Sequence, residues 1–170
     1  MISTGSGGID DMLGGGIPKG SSVLFSMEPG VDGQLLMIST LISAIAKGHS
    51  CLVVIPHTTV DAFQHDAAGK RGCNISIFKK NVVFVDSVDR ERISKRSTGS
   101  KAAQAAWEAK IRKLSAENAV DIVFLYLDLL YEDLGLAGAL SIAESAKISP
   151  QTTLIIEHLN LEGKGLIQKL

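Results

Sequence analysis

Cysteine is scarce in this chain, with only Cys51 and Cys73 among 170 residues. Two cysteines without metal-ligand spacing make neither a disulfide framework nor a zinc cluster. Aromatic residues are also few, at 5% with a single Trp, so the chain offers no ladder of rings for stacking bases. A strong charge of either sign is missing too. At a net charge of −1, attraction to nucleic acid or to a membrane surface has to come from a local patch. Long hydrophobic runs are absent: the longest, Leu35 to Ala46, is interrupted by Ser39, Thr40 and Ser43 and falls short of the ~20 residues of a membrane span. No charged-then-apolar leader is visible, so a cytoplasmic location with reduced thiols and no membrane partner is expected. What is present, 45% hydrophobic and 21% charged residues, suits a globular chain rather than a disordered one. Its length suits one domain, residues 1–170, with a self-sufficient core.

The chain is organised around residues 22 to 48. Val23-Leu24-Phe25 reads as a buried parallel strand. A glycine-bearing turn follows, and then a helix from Gly33 to Lys47 that ends at Gly48. Strand, glycine loop and helix form the frame of a phosphate-binding loop, whose amides and helix N-terminus face an anion. The chemistry of that loop requires G-x-x-x-x-G-K-[ST], with Lys on the β- and γ-phosphates and the hydroxyl on Mg²⁺. Aligned on Pro29-Gly30, Met27 stands for the first Gly, Asp32 for the second, Gly33 for the Lys and Gln34 for the Ser/Thr. Glu28 and Val31 complete a degenerate loop, residues 27–34.

The residues ahead of the loop carry a family resemblance. Ile2-Ser3-Thr4-Gly5, then Gly8-Ile9-Asp10-Asp11-Met12-Leu13-Gly14-Gly15-Gly16-Ile17-Pro18-Lys19-Gly20, closely resembles the opening of the KaiC/RadA branch of the RecA-superfamily ATPases. The similarity covers residues 2 to 36, and Glu28-Pro29-Gly30 matches the KaiC-like form of the loop. Beyond residue 48 it is a resemblance of pattern. It implies an α/β chain with a RecA-like P-loop fold, a mainly parallel central sheet with helices on both faces. Relatives usually continue with further strands, so 1–170 reads as a core trimmed at its C-terminus.

Downstream, strands and helices alternate, as a parallel, doubly covered sheet requires. Cys51 to Ile55 is a second strand, stopped by Pro56. Thr58 or Thr59 caps a short helix, with Asp61 as the acid of a capping box. Ile75 to Val85 is a third strand, closing on Asp86. Arg90 to Lys101 is charge-dense and reads as a mobile loop. It feeds a helix from Ala102 to about Ala116, capped by Ser or Thr, with Ala103, Trp107, Ile111 and Leu114 as its core stripe and Glu108–Arg112 as a favourable pair. Asp121 to Asp128 is a fourth strand, Asp133 caps a helix from Leu134 to Lys147, and Thr153 to Ile156 is a fifth strand ahead of Glu157-His158.

The resemblance implies two further sites. The fourth strand looks like a Walker B segment, which makes Asp128 the position that supports Mg²⁺ in active relatives. In the KaiC-like family the second strand ends in an acidic pair that prepares the attacking water; here Pro56-His57-Thr58 stands there. His57 titrates near neutral pH and is a candidate base, but a loop histidine is more often a surface or capping residue. The basic residues Arg90, Arg92, Lys95, Arg96 and Lys101 offer a phosphate-backbone or partner contact, set against a plain solvated connection.

Electrostatics decides between these readings. Losing the loop Lys removes a contact worth about 1.5–3 kcal/mol. A carboxylate at Asp32, about 4 Å from a phosphate oxygen, adds up to ~4 kcal/mol of repulsion at a dielectric of 20. The swing is on the order of a thousandfold in affinity. Asp32 is instead expected to cap the helix from Gly33 and fill the anion hole with its own carboxylate. A non-catalytic, pseudo-ATPase homologue is therefore expected, with no catalytic residue, metal or cofactor, acting as a structural or regulatory subunit. Its partner is another copy or an active RecA/KaiC-like ATPase. One alternative is an atypical ATP- and Mg²⁺-binding enzyme, with Lys19, Lys47 or a neighbouring subunit replacing the lost Lys. The other is a DNA-binding recombination accessory like the RadA paralogues, using the Arg90 to Lys101 segment.

Overall fold

A computed structural model describes residues 1–28 and 33–159. Five strands, β1 (Ser22–Met27), β2 (Cys51–Ile55), β3 (Val82–Asp86), β4 (Ile122–Tyr126) and β5 (Thr153–Leu159), form one sheet in the order β1-β5-β4-β2-β3. Every pairing in it is parallel. The chain runs one way across the sheet from β1 to β2 to β3, and then back to β4 and β5. Right-handed crossovers taken in opposite directions place their helices on opposite faces. Accordingly α2 (Gly33–Ala46) and α3 (Val60–Arg71) cover one face, with Met37, Ile38, Leu41 and Phe63 meeting Val53, Phe124 and Ile155. On the other face, α5 (Ser100–Glu117) and α6 (Asp128–Ala146) bring Trp107, Ile111, Leu130 and Ile142 onto Leu52, Val54, Val123 and Leu125. The central strands β2 and β4 are buried at every residue, which is why both read as uninterrupted apolar runs.

The glycine-rich start folds into a clasp over α2. Ile2 and Ile17 exchange backbone hydrogen bonds of 2.7 Å in both directions. Asp10, in α1 (Gly7–Met12), accepts from the Thr4 amide and hydroxyl, each at 2.7 Å, and from the Ser3 hydroxyl at 2.6 Å. These bonds, led by that from Ser3, hold its pKa below the usual carboxylate value. The Thr40 hydroxyl of α2 donates to the Thr4 carbonyl. At Gly16, φ is +114° and a Cβ would sit 2.5 Å from the Ile2 carbonyl oxygen, so no other residue closes this turn. The clasp explains why α2 has almost no polar face: Met37, Ile38, Thr40 and Leu41 are all buried.

Several expected elements differ. Residues Ile75–Lys79 form a 3₁₀ helix, not the start of β3, because the Asn74 side chain accepts from the Ser76 amide and turns the chain. Arg90 to Arg96 is not a loop: Ser87–Arg96 is a helix, α4, held by a reciprocal capping box between Asp86 and Asp89. It was missed because α4 buries no residue fully, although Ile93 packs against the second cluster. Helix α5 starts at Ser100 with Gly99 at its cap position and no Ser or Thr side chain capping it. Thr59 caps α3 by accepting from Ala62, so Asp61 falls at the second helical position and makes no capping box. Asp133 lies inside α6, which begins at Asp128 and is interrupted only at Gly135, φ +69°. β4 stops at Tyr126 and leaves Asp121 and Asp128 outside it, whereas β5 runs on through Glu157 and His158.

Candidate functional site at the carboxyl ends of the strands

In a parallel sheet that reverses its order, chemistry collects beyond the C-terminal strand ends. Here the ends of β2, β4, β5 and β1 lie side by side. Asp128, the first residue of α6, and His158, near the end of β5, meet with Oδ1 and Nδ1 2.6 Å apart. A carboxylate only accepts, so Nδ1 carries the proton. His158 is nearly buried and Asp128 is partly open. The Tyr131 ring stands 6.4 Å from the His158 ring. The Leu127 amide donates to the Glu157 carbonyl at 3.0 Å, fastening β4 to β5 at this end. The side chain of Glu157 is buried.

His57 follows β2 and tilts over Tyr126, ring centroids 5.2 Å apart. Tyr126 in turn meets Phe63 edge-on. Burial lowers the His57 pKa below its usual 6.5, with the Asp128 charge opposing. The unfolded chain then takes up a proton near pH 6.5 that folded His57 refuses, so stability falls as pH drops through that value. We expect His57→Gln to flatten the stability slope between pH 7 and 5.5 in urea titrations. Equal slopes for the two proteins would remove His57 from the balance.

The degenerate loop is seen from its two ends. Met27 closes β1, paired with Leu159, and Glu28 is exposed. Pro29, Gly30, Val31 and Asp32, including the expected Asp32 cap, lie outside the described residues. Gly33 opens α2. Gln34, which the sequence alignment puts in place of a metal-binding hydroxyl, accepts from Lys70 Nζ at 3.1 Å. The two lysines considered as substitutes sit at the wrong end. Lys19 precedes β1, and Lys47 follows α2, whose length puts it about 20 Å from the loop.

The five basic residues have different surroundings. Arg90 is bound by Asp133 through both Nε and Nη2 at 2.7 Å, and that bond raises its pKa. Lys95 pairs with Glu91. Arg92 and Arg96 face a cleft between α4 and α5, and Lys101 is exposed in the first turn of α5. Trp107 is core, 1% exposed. Glu108 accepts from Ser141 and Gln104, with Arg112 a lesser influence, while Arg112 donates to Ser145. Burial pushes the Cys51 thiol up to about 12, which makes it unreactive. Among the described residues no helix is long and apolar enough to cross a membrane, and no cluster of three metal-ligating side chains occurs. Sequence reasoning overlooked Tyr126, Tyr131, Glu157 and His158 as site residues. The adjacent Glu157-His158 at a strand end was the available signal.

No family model matches the sequence, and no curated protein matches it. In three dimensions the chain is similar to a KaiC-like protein from the hyperthermophilic archaeon Pyrococcus horikoshii OT3. The TM-score is 0.69 over 96% of this chain and 71% of that one, at 15% identity. At that identity the likeness speaks for fold: this is a KaiC/RecA-like α/β architecture.

Proposed function

We propose, with that architecture as the premise, that the chain is a non-catalytic member of the fold. In this reading it is a pseudo-ATPase that serves as a structural or regulatory subunit, assembled with itself or with an active ATPase of the same fold. The observation that carries this reading is the simultaneous replacement of the loop Lys, the loop hydroxyl and the acids after the second strand. Gly33 and Gln34 stand for the Lys and the hydroxyl, and Asp32 puts a negative charge in the loop. Pro56-His57 stands where the acids belong. The neighbours have moved into other partnerships: Gln34 holds Lys70, and Asp128 holds His158. A Mg·ATP complex does not fit this set, and no catalytic step is assigned to it. Assembly is supported by Met12, 88% exposed, and the adjacent Leu13, 43% exposed, at the end of α1, since apolar surface left open favours a partner.

Calorimetry with ATP and ADP, with and without Mg²⁺, beside a light-scattering mass, tests the proposal. We expect no nucleotide binding at micromolar concentrations and either a mass that is a multiple of the 18.0 kDa chain or co-elution with an active ATPase of this fold. Micromolar Mg·ATP affinity would favour the nucleotide-binding enzyme instead.

A further inference from the structure

The cleft between α4 and α5 gives the basic segment a use that the strand-end site does not absorb. Its volume is about 450 Å³, within the roughly 300–1,000 Å³ of small-molecule sites. Arg92 and Arg96 line it from α4, one turn apart. Neither has an acidic partner among the described residues, where the other ion pairs of α4 are Arg90–Asp133, Lys95–Glu91 and Lys110–Asp89. The Asp89 carboxylate at the cleft wall is therefore neutralised by Lys110, and the two arginines set the sign of the field.

Like charges four residues apart disfavour a helix, and an anion bridging them turns that repulsion into attraction. Two guanidinium forks match the oxygens of a phosphate dianion. Ser97 and Thr98 add hydroxyls at the turn. Helix α5 starts beside them without a side-chain cap, so the positive end of its dipole has the same sign. The remaining wall, with Ile93 and Ala106, is apolar. Among the described residues no aromatic side chain lines the cleft, which disfavours a nucleic-acid strand seeking stacking.

We propose that this cleft binds a small phosphomonoester, its phosphate on Arg92 and Arg96 and its organic part against Ile93 and Ala106. The site shares no residue with the loop or the strand ends, so it stands whether or not the chain binds ATP. Calorimetry of the full chain at low salt with phenyl phosphate and with inorganic phosphate tests it. Phenyl phosphate should bind saturably at one site, about tenfold more tightly than inorganic phosphate because of the apolar wall. The double variant Arg92→Ala, Arg96→Ala should weaken it by about tenfold or more. Its melting temperature should not fall, both side chains being exposed and their mutual repulsion removed. Lys95→Ala, on the same helix, should leave binding intact. Non-saturable heats, equal affinity in the double variant, or binding of a single-stranded oligothymidylate through these arginines in preference to phenyl phosphate would each overturn the proposal.

Discussion

Rebuilding the loop as Asp32→Gly, Gly33→Lys and Gln34→Thr should create micromolar Mg·ATP affinity, where we expect the parent to show none by calorimetry. The gain has two parts: a charge-assisted contact of about 1.5–3 kcal/mol from the new Lys, and removal of a carboxylate repulsion of up to ~4 kcal/mol. Discounted for screening by solvent and Mg²⁺, together they amount to about a thousandfold, enough to move binding from the millimolar range to micromolar. The flanks of such a frame are present, because β1 ends at Met27 and α2 starts at Gly33, and a helix N-terminus attracts anions. Gln34→Thr releases Lys70 from one partner, but Lys70 keeps Asp66 at 3.2 Å. Hydrolysis should stay negligible, since no carboxylate follows β2. Matching circular dichroism and melting curves would establish that the variant is folded. A folded variant that ignores Mg·ATP would show that the three exchanged loop residues do not control nucleotide affinity.

Trp107→Ala should cost about 3–5 kcal/mol, the range for emptying an aromatic site in a closed core. Native stabilities are about 5–15 kcal/mol, so this one change brings the chain near unfolding at ambient temperature. Trp107 is 1% exposed and belongs to the cluster that joins α5 and α6 to the sheet. Little there can move in to refill the void, because Ile111, Leu130 and Ile142 are themselves fully buried. Urea denaturation followed by circular dichroism, needed because the only Trp is removed, should show a midpoint lower by about 1–5 M for a slope near 1–3 kcal/mol/M. Met12→Ala, at 88% exposure, is the contrast and should stay within about 0.5 kcal/mol. If Trp107→Ala unfolds at the parent midpoint, the α5–α6 layer is not packed as described.

Much of the architecture was readable from local pattern. Cys51 to Ile55 and Ile122 to Tyr126 are apolar without alternation, and strands buried on both faces need that. Gly33 and Gly48 bracket an apolar stretch that became α2 almost residue for residue. The errors came where a polar side chain competed with periodicity. Asn74 turned an expected strand into a 3₁₀ helix, and Asp86 with Asp89 made a helix of an expected loop. The Asp86-Ser87-Val88-Asp89 spacing was a capping box in plain sight, hidden by a segment with too few apolar residues to show a helical stripe.

Sequence alone was sufficient for the parallel α/β class, because it depends on residue type and spacing over a few turns of chain. Tertiary structure alone decided which partners the remaining side chains took. Asp128 and His158 are 30 residues apart, Arg90 and Asp133 are 43 apart, and the clasp reaches from Thr4 to Thr40. Those pairs form because a sheet that reverses its strand order folds distant strand ends and helices together. The direction of each crossover, not any local pattern, sets which groups meet.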